Sequence, residues 1–213
     1  TFDLNKMNFE IPKAKINGLK FKLKQGLVQI SKATKIAAVR NEPETILKLK
    51  LGEIDLAKID FDYKSDATKL STNFYLKKLH TKIDRIDLNN QFAIIETLDL
   101  TGVEGALAFD KLVVISPKKQ PTKAESNNWE VKIKKTEFKR VNFRYDNNNV
   151  AAVQKGIDYN HLNITGLNLQ VNFLKYNPES ISGDANSLSM KDKSGLNIQS
   201  FKAEFFYGKK NAF

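Results

Sequence analysis

No cysteine occurs in this chain. That absence removes disulfides, thiolate metal sites and cysteine nucleophiles together, and it fits a periplasm or a cytoplasm equally. Histidine is nearly as scarce. His80 and His161 are the two present, and each reads as a surface or strand-end side chain without a ligand-spaced partner. Neither a G-x-S-x-G elbow nor a phosphate-cradling glycine loop appears, so the expectation is that the chain is not an enzyme. A Ca²⁺ site would need oxygen ligands on one loop. Asp146 with Asn147–Asn149 is the one candidate, and a hairpin turn accounts for it, so no metal and no cofactor is expected. Proline is scarce, which argues against a Pro-rich linker. No apolar run is long enough to cross a membrane, and no signal peptide is visible. The chain opens on Thr1, which suggests a processed chain or a fragment whose membrane anchor lies outside it.

What is present is apolar and basic. Apolar residues make up 41% of the 213 residues and include 14 Phe, so disorder is not the default. The net charge of +11 invites a polyanion or anionic-membrane reading. Yet the lysines are interleaved with apolar residues, as at Lys20, Lys22 and Lys24, which points to a solvated strand face and protected sheet edges. Carboxylates such as Asp55, Asp60, Asp62, Asp84 and Asp87 sit among these cations and are expected to pair across strands or face water.

The stretch Trp129–Tyr145 shows the organising pattern. Trp129, Val131, Ile133, Phe138, Val141, Phe143 and Tyr145 alternate with polar residues, as on a half-buried strand. The alternation slips twice, at Lys134–Lys135 and at Lys139–Arg140. A slip of one residue turns the following side chains to the wrong face unless a bulge absorbs it. The same slips recur elsewhere. Phe9, Ile11, Ala14, Ile16, Leu19, Phe21 and Leu23, shifted by 40, become Leu49, Leu51, Ile54, Leu56, Ile59, Phe61 and Tyr63. Further copies run through Leu98, Leu100, Val103 and Leu107, through Leu162, Ile164, Leu167, Leu169, Val171 and Phe173, and through Leu196, Ile198, Phe201, Ala203, Phe205 and Tyr207. Three copies fit strictly, where a shuffled chain gives on the order of 0.2. Asn17–Gly18, Thr101–Gly102 and Thr165–Gly166 occupy slips, and glycine supplies the positive φ that a bulge needs.

Shorter segments between the copies read as partner strands: Leu27–Ile30, Ile36–Val39, Phe74–Leu79, Ile83–Leu88, Phe92–Ile95 and Lys111–Ile115. Turn chemistry marks Lys64–Asp66, Asn89–Asn90, Asp146–Asn149, Asn177–Ser180 and Asp192–Gly195. Short helical turns are expected near Val150–Gln154 or Tyr159–Leu162. The fold expected is all-β: an elongated, strongly curved antiparallel sheet folded into a half-open trough with an apolar interior. An N-terminal group of strands spans 1–115, a polar loop 116–128, and a C-terminal group of the same trough 129–213. On the residues alone, the apolar face either forms an ordinary core or lines a path for something apolar.

Three stretches, NWEVKIKKTEFKRVNFRYDNN (Asn128–Asn148), KGIDYNHLNITGLNLQVNF (Lys155–Phe173) and MKDKSGLNIQSFKAEFFYG (Met190–Gly208), resemble translocation and assembly module proteins of the TamB type. These belong to the AsmA-like superfamily, and the version here resembles its Bacteroidota branch. LKLGEIDLAKIDFDYKSD (Lys48–Asp66) and IDLNNQFAIIETLDLTG (Ile86–Gly102) resemble the preceding unit. The resemblance covers most of Leu47–Tyr207. It implies a periplasmic β-taco, tethered to the inner membrane, that reaches an outer-membrane partner of the Omp85 type (TamA/TamL-like) through a region not clearly present in this chain. It further implies outer-membrane biogenesis: lipid transport of phospholipids towards the outer membrane, or protein transport and assembly there. Phospholipid acyl chains would then run over Ile54, Leu56, Ile59, Phe61, Tyr63, Phe138, Val141, Phe143, Tyr145, Leu162, Ile164, Leu167 and Leu169. The alternatives are a structural β-domain with a closed core and a polyanion- or nucleic-acid-binding β module. The trough reading expects no nucleic-acid partner.

Overall fold

The computed structural model describes residues 2–3, 8–26, 48–111 and 128–208. Ten strands form within them: β1 (Phe2–Asp3), β2 (Asn8–Asn17), β3 (Lys20–Gln25), β4 (Lys48–Ser65), β5 (Leu70–Asp87), β6 (Phe92–Phe109), β7 (Glu130–Asn147), β8 (His161–Asn177), β9 (Ser180–Asp192) and β10 (Asn197–Gly208). They make one sheet in the order β1-β2-β4-β5-β6-β7-β8-β9-β10, with β3 also on β4. β1 and β10 end that order, so the sheet is open and not closed into a barrel. Close backbone approaches occur only between strands that pair.

The chain is all-β, as its alternation predicts, and no helix forms among the described residues. The helical turns expected near Val150–Gln154 and Tyr159–Leu162 are instead irregular loop and the start of β8. The apolar segments Phe74–Leu79 and Ile83–Leu88 are one continuous strand, β5, and Phe92–Ile95 runs directly into the Leu98–Leu107 copy as β6. The segments Leu27–Ile30 and Ile36–Val39, most of Lys111–Ile115 and nearly all of the polar loop lie outside the described residues.

The sheet is mixed rather than wholly antiparallel. β2 and β3 run parallel to β4, and β7 runs parallel to β6. Parallel neighbours need a crossover of a dozen or more residues, and the chain between β3 and β4 and between β6 and β7 is long enough. Alternation carries no strand direction, so these two junctions were hidden in it.

Those junctions explain the internal repeat. Phe9 stands opposite Leu49, Ile16 opposite Leu56 and Phe21 opposite Phe61, so the sequence shift of 40 is the parallel register itself. The β6–β7 junction does the same with a shift of 38, placing Leu100 on Phe138 and Val103 on Val141. Copies that lie side by side bring their slips side by side as well.

The slips form a crease across the sheet. Gly18 (φ 79°), Lys58 (53°), Gly102 (67°), Arg140 (53°) and Gly166 (61°) all have left-handed backbone. Lys58 faces Lys77 between the pairs Ala57–Lys78 and Ile59–Leu76. Lys77 in turn faces Gly102, and Gly102 faces Arg140. A left-handed residue at each slip restores the alternation and bends the strand. At β7–β8 two bulges of opposite sense flank the Val141–Leu167 pair. Each leaves an amide without a ladder partner, and an asparagine on the facing strand accepts from it. The Arg140 N–H donates to Asn168 Oδ1 at 3.1 Å and the Gly166 N–H to Asn142 Oδ1 at 2.7 Å.

Left-handed backbone costs about 1–2 kcal/mol for a residue with a Cβ, and at Gly102 that Cβ would also sit 2.9 Å from the Lys77 Cβ. Gly102→Val is therefore expected to lower stability by about 2 kcal/mol, whereas Arg140→Gly should leave stability level or raise it. Urea unfolding followed by circular dichroism distinguishes the two directions.

Candidate functional site

Cross-strand pairing places the apolar residues in rows that run across the sheet. One row starts at Ile16 and passes through Leu56, Leu79 and Leu100. It continues through Phe138, Leu169, Leu188 and Phe201. Every member is a large apolar side chain. The next row holds Ile59, Leu76, Val103, Val141 and Leu167. Beyond it lies Phe21–Phe61–Phe74–Gly105–Phe143–Ile164, in which the first three rings lie 5.7 and 5.1 Å apart. Tyr63 and Tyr145 share a further row with Leu107 and Leu162. Ile54 reaches Thr136 and Val171 through Thr81 and Leu98.

All thirteen residues expected from the sequence to form a lining thus fall on shared rows. The β5 members Phe74, Leu76 and Leu79, and their β6 neighbours Leu100 and Val103, fill the space between and were not in that set. The signal was there: Phe74, Leu76 and Leu79 carry the same slip, with Lys77–Lys78 in it.

Burial along the rows is graded. Ile59, Leu76, Val141 and Val171 are buried, while Leu56, Leu79, Leu100, Phe138 and Leu169 are only half-buried. At the flanks Phe21 is 45% exposed and Phe201 48%. Residues in the middle of a two-layer core lose nearly all access to water. Here the side chains are shielded mainly by their neighbours in the same sheet, and the apolar face keeps access to solvent.

One polar atom is trapped in that face. Thr136 is 2% exposed, and its Oγ1 has no hydrogen-bond partner. A buried hydroxyl without a partner costs about 1–3 kcal/mol. Thr136→Val is isosteric and matches the apolar residue at the same place in the other copies. It should raise stability by about 1 kcal/mol, read as a higher urea midpoint with unchanged slope.

The opposite face is a lattice of ion pairs. Lys13 meets Glu53 at 2.6 Å, Lys50 meets Glu10 at 2.7 Å and Lys82 meets Glu96 at 2.7 Å. Lys20 and Lys22 reach Asp60 and Asp62 on the parallel neighbour at 3.2 and 3.6 Å, as the interleaved charges imply. Exposed pairs of this kind contribute little to stability, because water and salt screen them. Their main effect is to hold register and keep this face wet.

Both histidines have carboxylate partners, contrary to the sequence reading. His80 Nδ1 lies 2.7 Å from Asp55 Oδ1 across β4–β5 and holds the Asp55 carboxyl below its usual range. His161 Nδ1 lies 3.0 Å from Asp158 Oδ2. The second pair was readable as Asp-x-x-His; the first needed the register. Among the described residues no group of three His, Asp or Glu could hold a metal ion, and no helix is long and apolar enough to cross a membrane.

Asp158 organises the connection between β7 and β8. Its oxygens accept the Val153 N–H at 2.8 Å and the Asn160 N–H at 3.0 Å. This loop spans 13 residues, so Asp146–Asn149 opens a longer connection rather than a tight hairpin. The Val153 amide, followed by the Asn160 amide and the His161 ring, outweighs burial and holds the Asp158 carboxyl below its usual 3.8. Its stabilising contribution is full above the unfolded value and is lost as pH falls through the depressed folded value. The Val153 and Asn160 amides should therefore exchange faster with solvent, relative to the intrinsic rate, as pH drops below about 4. Asp158→Asn should remove that dependence, as measured by hydrogen exchange with NMR detection.

No family model, no curated protein and no solved structure matches the chain.

Proposed function

We propose that this chain is part of a non-enzymatic, periplasm-spanning β-trough of outer-membrane biogenesis. It conducts phospholipids between the inner and outer membranes or assists the assembly of outer-membrane proteins. The observation that carries the reading is the uninterrupted apolar row from Ile16 to Phe201, half-buried along its middle. An acyl chain on such a surface gains about 0.8 kcal/mol for each CH₂ kept from water. Along that row every cross-strand partner is a large apolar side chain. A conduit needs that continuity, whereas a scaffold would be better served by a second layer. In this reading the protein is tethered to the inner membrane and meets an Omp85-type partner, and nucleic acid is not a partner.

Phe143 sits in the aromatic row beside Gly105 and opposite Ile164. Phe143→Glu places a charge in the path while leaving every backbone pair intact. The variant is expected to fold, to lose co-purifying phospholipid by mass spectrometry, and to fail in cells at delivering phospholipid to the outer membrane. A folded Phe143→Glu protein with normal lipid content and delivery would show that these rows do not carry lipid.

A further inference from the structure

The two ends of the sheet differ in chemistry. One end is made by the turn after β5, the start of β7 and the turn between β8 and β9. It carries Arg85, Lys132 and Lys175 against Asp87, Glu130 and Glu179, with Asn89, Asn90 and Asn177 between them. Its charges balance, and Arg85 and Lys132 are paired to their neighbours.

The other end does not balance. Lys64, Lys69, Lys111, Lys155 and Lys193 stand there, and among the described residues none has an ion-pair partner. Most of the carboxylates at that end are already engaged. Asp66 meets Lys24 at 3.6 Å, and Asp146 meets Arg144. Asp158 and Asp192 are buried against backbone amides. Asp110 is exposed and has no ion-pair partner among the described residues.

The β7–β8 loop projects from this same end, and its surface is apolar. Val150 is 42% exposed, Val153 56%, Ile157 36% and Tyr159 74%. Water contact with four large apolar side chains on one loop is unfavourable for a free protein. The loop nevertheless holds its shape, since Asp158 ties Val153, Asn160 and His161 together and the Asn147 N–H donates to the Asn160 carbonyl at 2.7 Å. That network also buries the loop's one carboxylate. Lys155 is the only charge left on its surface.

We propose that this end of the sheet docks on the surface of an anionic phospholipid bilayer, with the 148–160 loop entering the boundary between headgroups and acyl chains. Apolar side chains suit that boundary, and a tyrosine sits at headgroup level with its ring inward and its hydroxyl wet. The five lysines face anionic headgroups, which attract cations within a Debye length of the surface. A protein partner would more commonly be met by a mixed rim with both signs of charge. The proposal rests on the loop and its surrounding charge, not on the groove.

Co-sedimentation with vesicles tests it. The chain is expected to bind vesicles of phosphatidylglycerol and phosphatidylethanolamine, more weakly in high salt, and to bind pure phosphatidylcholine poorly. Val153→Ser with Ile157→Ser should weaken binding by about tenfold or more, and Lys155→Glu by about fivefold or more. Both variants should keep the parent's circular dichroism. Lys175→Glu, an equal charge change at the opposite end, should bind like the parent. Absence of binding to the anionic vesicles would overturn the proposal. So would loop variants that bind as the parent does, or a Lys175→Glu effect as large as that of Lys155→Glu. Phe143→Glu separates this proposal from the conduit: docking retained with lipid content unchanged counts against the conduit alone, and lipid loss without any parental docking counts against the docking end alone.

Discussion

Everything in this sheet depends on left-handed backbone recurring at one height. A long strand that alternates strictly would stay nearly straight. Each extra residue, taken up at Gly18, Lys58, Gly102, Arg140 or Gly166, bends its strand and restores the apolar side chains to their original face. The effect is useful only because neighbouring strands place it in register. A bulge on one strand that met unbroken ladder on the next would leave backbone groups unpaired. Parallel pairing at a fixed sequence shift solves this, because identical patterns then meet position for position. Antiparallel β7 and β8 solve it differently. Their bulges are offset, and Asn142 and Asn168 accept the amides that the offset frees.

The crease also brings like charges together. Lys58 and Lys77 face each other across β4 and β5 with no carboxylate between them, an arrangement that is mildly repulsive. Lysines also face each other at Lys24–Lys64 and Lys132–Lys175, while Lys13, Lys20, Lys22 and Lys82 meet aspartate or glutamate on the adjoining strand. Lys58 and Lys77 are both exposed, so each cation keeps its water.

Much of this was legible in the sequence, and for a physical reason. Alternation reports which face a side chain occupies, and slips report where that alternation must be repaired. Phe138, Val141 and Phe143 could therefore be assigned to one face, and Thr101–Gly102 to a bulge, before any coordinates. Direction was not legible, since a strand reads alike in either pairing sense; hence the parallel β6–β7 junction was missed. Nor was Asp55 recognisable as the partner of His80, because that contact exists only in the finished register. Thr136 stands where the other copies have an apolar residue, and it is the most completely buried side chain on its strand, its hydroxyl unanswered. The short helical turns expected near Val150–Gln154 and Tyr159–Leu162 did not form, because Asp158 ties that stretch into an irregular loop instead.

Since close backbone approaches among the described strands join only adjacent ones, the sheet is in effect a one-dimensional array. Its free energy approximates a sum of strand terms and nearest-neighbour terms, as in solenoids. No central core has to be rebuilt when such an array changes length. Hairpins could be gained or lost in evolution wherever the crease and the register are preserved, and the span of the whole could be set by counting strands rather than by redesigning them. Loss of order should correspondingly begin at the two outermost strands and advance inward one neighbour at a time.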